Sequence, residues 1–150
     1  MKLVVISYSH HGRSIGRIGY SLGHEIIGVM DTDEDARTQL EKEFGCPGFD
    51  TVGTCLDTVS PDAALITGKH IKIPSHIQAC VDRRIPYLVD KPFADCAARL
   101  RPVAEASEKH GVFSTLTLPN RASKIVAIIK KMFADGSLGK LVLYNSRLNN

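Results

Sequence analysis

Asp90-Lys91-Pro92 follows the apolar run 85–89 and leads into a long helical segment. A residue before proline is pushed out of the α region into extended backbone, so Lys91 is expected at the carboxyl end of a strand. In open α/β sheets, ligands bind along that edge. A lysine there is either a solvated charge that ends a strand or an ammonium aimed at a substrate, and the tripeptide alone leaves both roles open. Residues 7–12, Ser7-Tyr8-Ser9-His10-His11-Gly12, occupy the first strand-to-helix turn. A dinucleotide fold puts three glycines in such a turn, letting the backbone approach a pyrophosphate at the helix N-terminus. Only the third glycine position is filled, by Gly12. Ser7 and Ser9 are small hydrogen-bond donors that keep phosphate contact open. Tyr8, His10 and His11 add bulk and a proton-sensitive charge, and a loop that binds no nucleotide is the competing reading.

Asp31 closes the second apolar run, about twenty residues beyond the turn, where a carboxylate accepts from both hydroxyls of an adenosine ribose. The same carboxylate repels a 2′-phosphate, so NAD is expected over NADP. Its alternative role is to help cap the helix that starts at Asp33. The six histidines suggest no metal site: His10 and His11 are adjacent and diverge in an extended loop. His70 and His76 flank the fourth strand's end without an acidic residue at ligand spacing. His24 and His110 fall at element ends and read as solvated.

The elements that must position these groups alternate between apolar runs and helical periodicity, the pattern of a parallel sheet built from βαβ units. Strands are predicted over 3–7, 25–30, 63–67, 87–89 and 112–118, with a short edge strand near Phe49. Helices are predicted over 13–22, from Asp33 to Gly45, 74–83, 95–110 and 123–135, with a brief helical turn over 56–59. Pro102 should kink the 95–110 helix or restart it. Gly136 and Gly139 end the last helix, and 141–148 begins another strand. That strand finishes at Asn149-Asn150 with nothing after it to pair with, which implies that the natural chain continues.

At 150 residues, 43% hydrophobic and 23% charged, the chain suits a soluble domain with a substantial core. A net charge of +3, without a basic block, argues against nucleic-acid or membrane partners. No apolar stretch approaches the roughly 18 residues of a membrane span, and the N-terminus lacks a secretory signal. Cys46, Cys55, Cys80 and Cys96 are widely separated, so they read as reduced, mostly buried thiols of a cytoplasmic protein.

In this order of elements the chain resembles the N-terminal part of the glucose-fructose oxidoreductase, inositol dehydrogenase and rhizopine-catabolism (Gfo/Idh/MocA) family. The residues that carry the resemblance are Asp90-Lys91-Pro92, where the family has Glu-Lys-Pro, then Asp31, Leu118-Pro119-Asn120-Arg121, the amphipathic 123–135 segment and Gly136-Ser137-Leu138-Gly139-Lys140-Leu141. The resemblance implies a doubly wound, Rossmann-type parallel sheet with flanking helices, with an NAD(P)-binding domain over 1–120. Residues 121–150 would then be the crossover helix and first strand of a second α/β domain absent from this chain. It implies hydride transfer between a nicotinamide cofactor, NAD rather than NADP, and a hydroxyl-bearing carbon of a polyhydroxylated substrate. Lys91 is the implied catalytic residue, bonded to the reacting oxygen, and Lys91-Pro92 is an implied cis bond. The candidate cofactor contacts are Ser7, Ser9, His10, His11, Gly12, Asp31, Thr67, Asp90, Lys91 and Pro92.

Three departures stand against the family pattern. The glycine loop is largely gone, and Asp90 is one methylene shorter than glutamate. Gly68-Lys69-His70 and Pro74-Ser75-His76 replace the family's proline, asparagine and histidine, so Ile73 takes the histidine's usual spot. His76 could substitute only through a shift in register. The second domain would supply the aspartate and histidine of the proton relay, and the surface for a homo-oligomer. Taken alone, the chain is therefore expected to bind cofactor without turnover. The alternative is a non-catalytic binding or regulatory protein on the same scaffold, its degraded glycine loop marking lost cofactor use.

Overall fold

The computed structural model describes residues 1–7 and 11–143. The chain divides into two compact units, 1–117 and 118–150. In the first, β1 (Lys2–Ile6), β2 (Glu25–Met30), β3 (Gly48–Phe49), β4 (Ala63–Ile66), β5 (Tyr87–Val89) and β6 (Ser114–Leu116) form one sheet. Its spatial order is β3-β2-β1-β4-β5-β6, and every pairing is parallel. The order reverses beside β1, so a crevice opens at the carboxyl ends of β1 and β4.

Residues of β1 alternate between two cores. Leu3 and Val5 pack with Val29, Leu65 and Leu40, whereas Val4 and Ile6 pack with Ile66, Leu56, Ile73 and Ile77. Both faces are covered, which is why the parallel strands read as continuous apolar runs. On one side lie α1 (Gly12–Ser21) and α2 (Glu34–Phe44), and on the other α3 (Val52–Val59), α4 (Ile73–Asp82) and α5 (Ala97–Lys109). Asp33 caps α2 by accepting from the Ala36 amide, and Gly45 ends it in the left-handed conformation at φ 65°.

Four expectations need correction. The brief turn over 56–59 is a full helix, α3, because Thr51 caps it and accepts from the Thr54 amide. Expected strand 112–118 shrinks to Ser114–Leu116, since β5 offers only three residues to pair with. α5 does not restart at Pro102, which lies exposed inside one continuous helical element. Cys55 and Cys80 are buried, with burial pushing both thiols up to about 12, but Cys46 is half-buried and Cys96 exposed.

In the second unit a 3₁₀ turn (Pro119–Ala122) precedes α6 (Lys124–Ala134), and Gly136 follows at φ 80°. Residues 141–143 carry no strand, and the rest of the strand expected over 141–148 lies outside the described residues. No described helix is long and apolar enough to cross a membrane.

Candidate functional site

The two described ends of the first turn, Ser7 and Gly12, meet closely, although a serine stands where a dinucleotide turn has its first glycine. Ser7 ends β1 at φ 71°, a left-handed conformation that glycine adopts at no steric cost. Its amide donates to the Met30 carbonyl at 2.7 Å. Its hydroxyl donates to Asp31 Oδ2 at 3.1 Å, and its own carbonyl accepts from Thr67 Oγ1 at 2.7 Å. Gly12 opens α1 against this knot. A Cβ at residue 12 would lie 1.9 Å from the Ser7 carbonyl oxygen and 2.7 Å from Thr67 Oγ1. No side chain fits there, so helix and strand approach as closely as the third glycine of a dinucleotide turn allows. Ser9 and His10 lie outside the described residues.

Asp31 is buried at the end of β2 and forms part of the wall of a cavity of about 780 Å³. Asp31 Oδ1 accepts from the Asp33 amide at 3.0 Å. Arg37 donates to the Asp31 carbonyl at 3.0 Å. Beside Asp31 the wall is acidic, with Asp33, Asp35 and Asp50; Lys69, Lys72 and His76 contribute from the β4–α4 side. His76 Nδ1 is buried there without a hydrogen-bond partner among the described residues. Burial lowers the His76 pKa, the Lys72 ammonium lowers it further, and the Asp31 carboxylate partly offsets both.

A second cluster forms at the end of β5. Asp90 is buried, and its Oδ2 lies 2.6 Å from His11 Nδ1. Asp90 Oδ1 accepts from the Thr117 hydroxyl. Burial opposes the Asp90 charge, but hydrogen bonds from Thr117, His11 and the Lys91 amide outweigh it and hold the carboxyl below its usual range. Lys91 and Pro92 are exposed, and their peptide bond is cis. Among the described residues the Lys91 ammonium has no ion-pair partner.

Of the expected contacts, therefore, Ser7 and Asp31 reach the cavity. Thr67 is fully buried behind the turn, and His11, Gly12, Asp90, Lys91 and Pro92 stand outside the cavity wall. Thr117, Lys69 and Lys72 were not singled out. Thr117 directly follows β6 and Lys69 lies in the loop after β4, so both belong to the same ligand-binding edge of the sheet, while Lys72 is the N-cap residue of α4.

Residues 4–117 match a protein family described as an oxidoreductase family with an NAD-binding Rossmann fold (Gfo/Idh/MocA). The chain belongs to that family. No curated protein matches the sequence, but solved structures share the fold. The myo-inositol 2-dehydrogenase of Lactobacillus plantarum superimposes with a TM-score of 0.87 at 16% identity, over 95% of this chain and 43% of its own. The WlbA dehydrogenase of Bordetella pertussis, solved with NADH and UDP-GlcNAcA, gives 0.85 at 18% identity, over 93% and 41%. An oxidoreductase of Agrobacterium radiobacter, solved with NAD+, L-tartaric acid and magnesium, gives 0.84 at 14% identity, over 93% and 42%. The chain thus spans about two fifths of the length of these proteins. The family's cofactor fits the residues present: Gly12 allows the close packing of α1 on β1 that a dinucleotide turn uses, and Asp31 and His76, with no partner for its Nδ1 among the described residues, line one cavity.

Proposed function

We propose that this chain is the nucleotide-binding part of an NAD-dependent oxidoreductase that moves a hydride to or from a hydroxyl-bearing carbon of a sugar- or cyclitol-like substrate. The observation that carries this reading is the Asp31-walled cavity of about 780 Å³ beside the Gly12 turn, within a family whose Rossmann fold binds NAD. The acidic side of the wall receives the adenosine ribose hydroxyls and repels a 2′-phosphate, and the start of α1 presents its positive dipole end to the pyrophosphate. When bound, the nicotinamide supplies the hydride acceptor or donor. Lys91, exposed at the end of β5, then offers its ammonium to the reacting oxygen and stabilises alkoxide-like charge. Calorimetric titration of the chain with NADH and NADPH tests the reading. Saturable NADH binding that exceeds NADPH binding supports it, and no heat at millimolar NADH overturns it. A panel of cyclitols and sugar acids, assayed with NAD on the full-length protein, identifies the substrate.

One observation favours the regulatory alternative. Ser7 holds a glycine conformation and occupies Asp31 Oδ2 with its own hydroxyl. If the loop has lost cofactor use, Ser7→Gly combined with Ser9→Gly creates NADH binding that the native chain lacks. If the loop is functional, the native chain already binds and the double variant changes affinity only modestly.

A further inference from the structure

The carboxylate of the family motif spends both its oxygens inside this chain. Asp90 Oδ2 meets His11 at 2.6 Å and Oδ1 meets Thr117, so the group it holds out is an imidazole. We propose that His11, oriented by Asp90, is a contact for the nicotinamide-side ribose of the dinucleotide, accepting one of its hydroxyls on Nε2. This rests on the nucleotide-binding reading above and adds a residue to it.

Three observations lead there. The first is topological. His11 follows β1, and Asp90 follows β5, with β4 between them in the sheet. To meet Asp90, the His11 side chain must reach past the carboxyl end of β4 toward β5, which adds no described residue to the wall of the Asp31 cavity. A dinucleotide whose adenosine fills that cavity has to send its other half across the switch point in the same direction.

The second is the tautomer. An ionised carboxylate is an acceptor only, so the ring nitrogen facing it carries the proton. Asp90 is kept ionised by its donors, so in the neutral ring Nδ1 carries the proton and Nε2 keeps its lone pair. That lone pair rejects a phosphate oxygen and takes a hydroxyl, the group a ribose presents.

The third is access. The His11 side chain is 51% exposed, and its ring has no second partner among the described residues. A histidine that served only to staple the turn to β5 would need Nδ1 alone. Asp90 acts through His11 and is therefore a positioning residue, held in turn by Thr117.

Titration of the chain and its variants with NADH, ADP-ribose and AMP tests the assignment, because ADP-ribose keeps the distal ribose and AMP lacks it. His11→Ala is expected to weaken NADH and ADP-ribose roughly tenfold while AMP is unchanged. His11→Gln, whose amide oxygen can reach a similar position, should recover part of the loss. Nitrogen-15 NMR of the native chain should report the Nδ1–H tautomer. Asp90→Asn should shift that tautomer and weaken ADP-ribose without touching AMP. If His11→Ala binds ADP-ribose like the native chain while AMP still binds, the pair is a staple only and the inference is overturned. A native Nε2–H tautomer overturns it equally. If His11→Ala does not fold, His11→Gln and the native tautomer decide. Should AMP itself fail to bind the native chain, the nucleotide reading falls and the His11 assignment falls with it.

Discussion

Two ends of one sheet edge are built in opposite ways. At the β2 end, Asp31 belongs to a cavity of about 780 Å³ walled entirely by residues of the first unit. At the β5 end, Asp90 is tied inward to His11 and Thr117, and the neighbouring Lys91 stands in solvent. One carboxylate borders a half-open cleft; the other joins His11 to the end of β5. The contrast separates two tasks that a dehydrogenase must perform. Recognition of adenosine needs walls, and on the proposed reading the Asp31 cavity supplies them. Stabilising charge at a reacting carbon needs a dry pocket around the ammonium, because electrostatic stabilisation weakens in water. Lys91 is instead exposed among the described residues of its own unit.

The sharpest way to break this division is Lys91→Ala. In the full-length protein, on the best substrate of the cyclitol and sugar-acid panel, turnover should fall by about a hundredfold or more, the usual reach of a positioned proton-transfer or charge-stabilising group. NADH affinity should stay within about twofold, since Lys91 does not line the cavity. A variant that loses both equally would mean that the two ends are one site.

Gly12→Ala should come next. A methyl placed 1.9 Å from the Ser7 carbonyl cannot be absorbed by a side-chain rotation, because the atom it meets is backbone. Helix α1 or the end of β1 has to move, at a cost of about 3 kcal/mol. Denaturant unfolding should show the loss, and NADH binding should weaken with it. Asp31→Ala acts on one end only. It removes the carboxylate proposed to accept from the ribose, while the backbone carbonyl at residue 31 keeps its bond from Arg37. We expect roughly a tenfold loss of NADH affinity and a smaller preference over NADPH. An unchanged preference would remove Asp31 from ribose recognition.

How much of this could be read from the sequence follows from which contacts are local. Strand ends in a parallel sheet converge on one edge, so Asp31, Asp90 and Lys91 could be assigned to that edge from apolar runs and a proline. The Asp33 cap and the Gly45 stop are signals spanning only a few residues, and they gave α2 correctly. α3 was hidden because Val52-Gly53-Thr54 is a poor helical start by propensity. Its cap and its burial of Val52, Cys55 and Leu56 outweigh that. His11 with Asp90 is another matter. The two are 79 residues apart, and their contact depends on β4 lying between β1 and β5. No spacing rule encodes that. Glycine loss at residue 7 read as a degraded turn, yet Ser7 adopts the glycine conformation, because Asp31, Met30 and Thr67 hold it on three sides.

The smallest expected effect sharpens the adenosine end. His76 has its pKa lowered below 6.5 by burial and by Lys72, while in the unfolded chain it titrates near 6.5. Above that pH both states are neutral and the group contributes nothing to the slope. As pH falls through about 6.5 the unfolded chain takes up its proton first, so stability declines until the folded imidazole protonates as well. His76→Gln should flatten this part of the stability–pH curve between neutrality and pH 5, measured by denaturant midpoints. Bound AMP should deepen the native slope if it hydrogen-bonds the neutral ring, because the ligand then binds the unprotonated form preferentially and holds the pKa lower still. A slope that His76→Gln leaves unchanged would mean that other groups carry it. A slope that AMP leaves unchanged would put His76 in the cavity wall without a share in recognition.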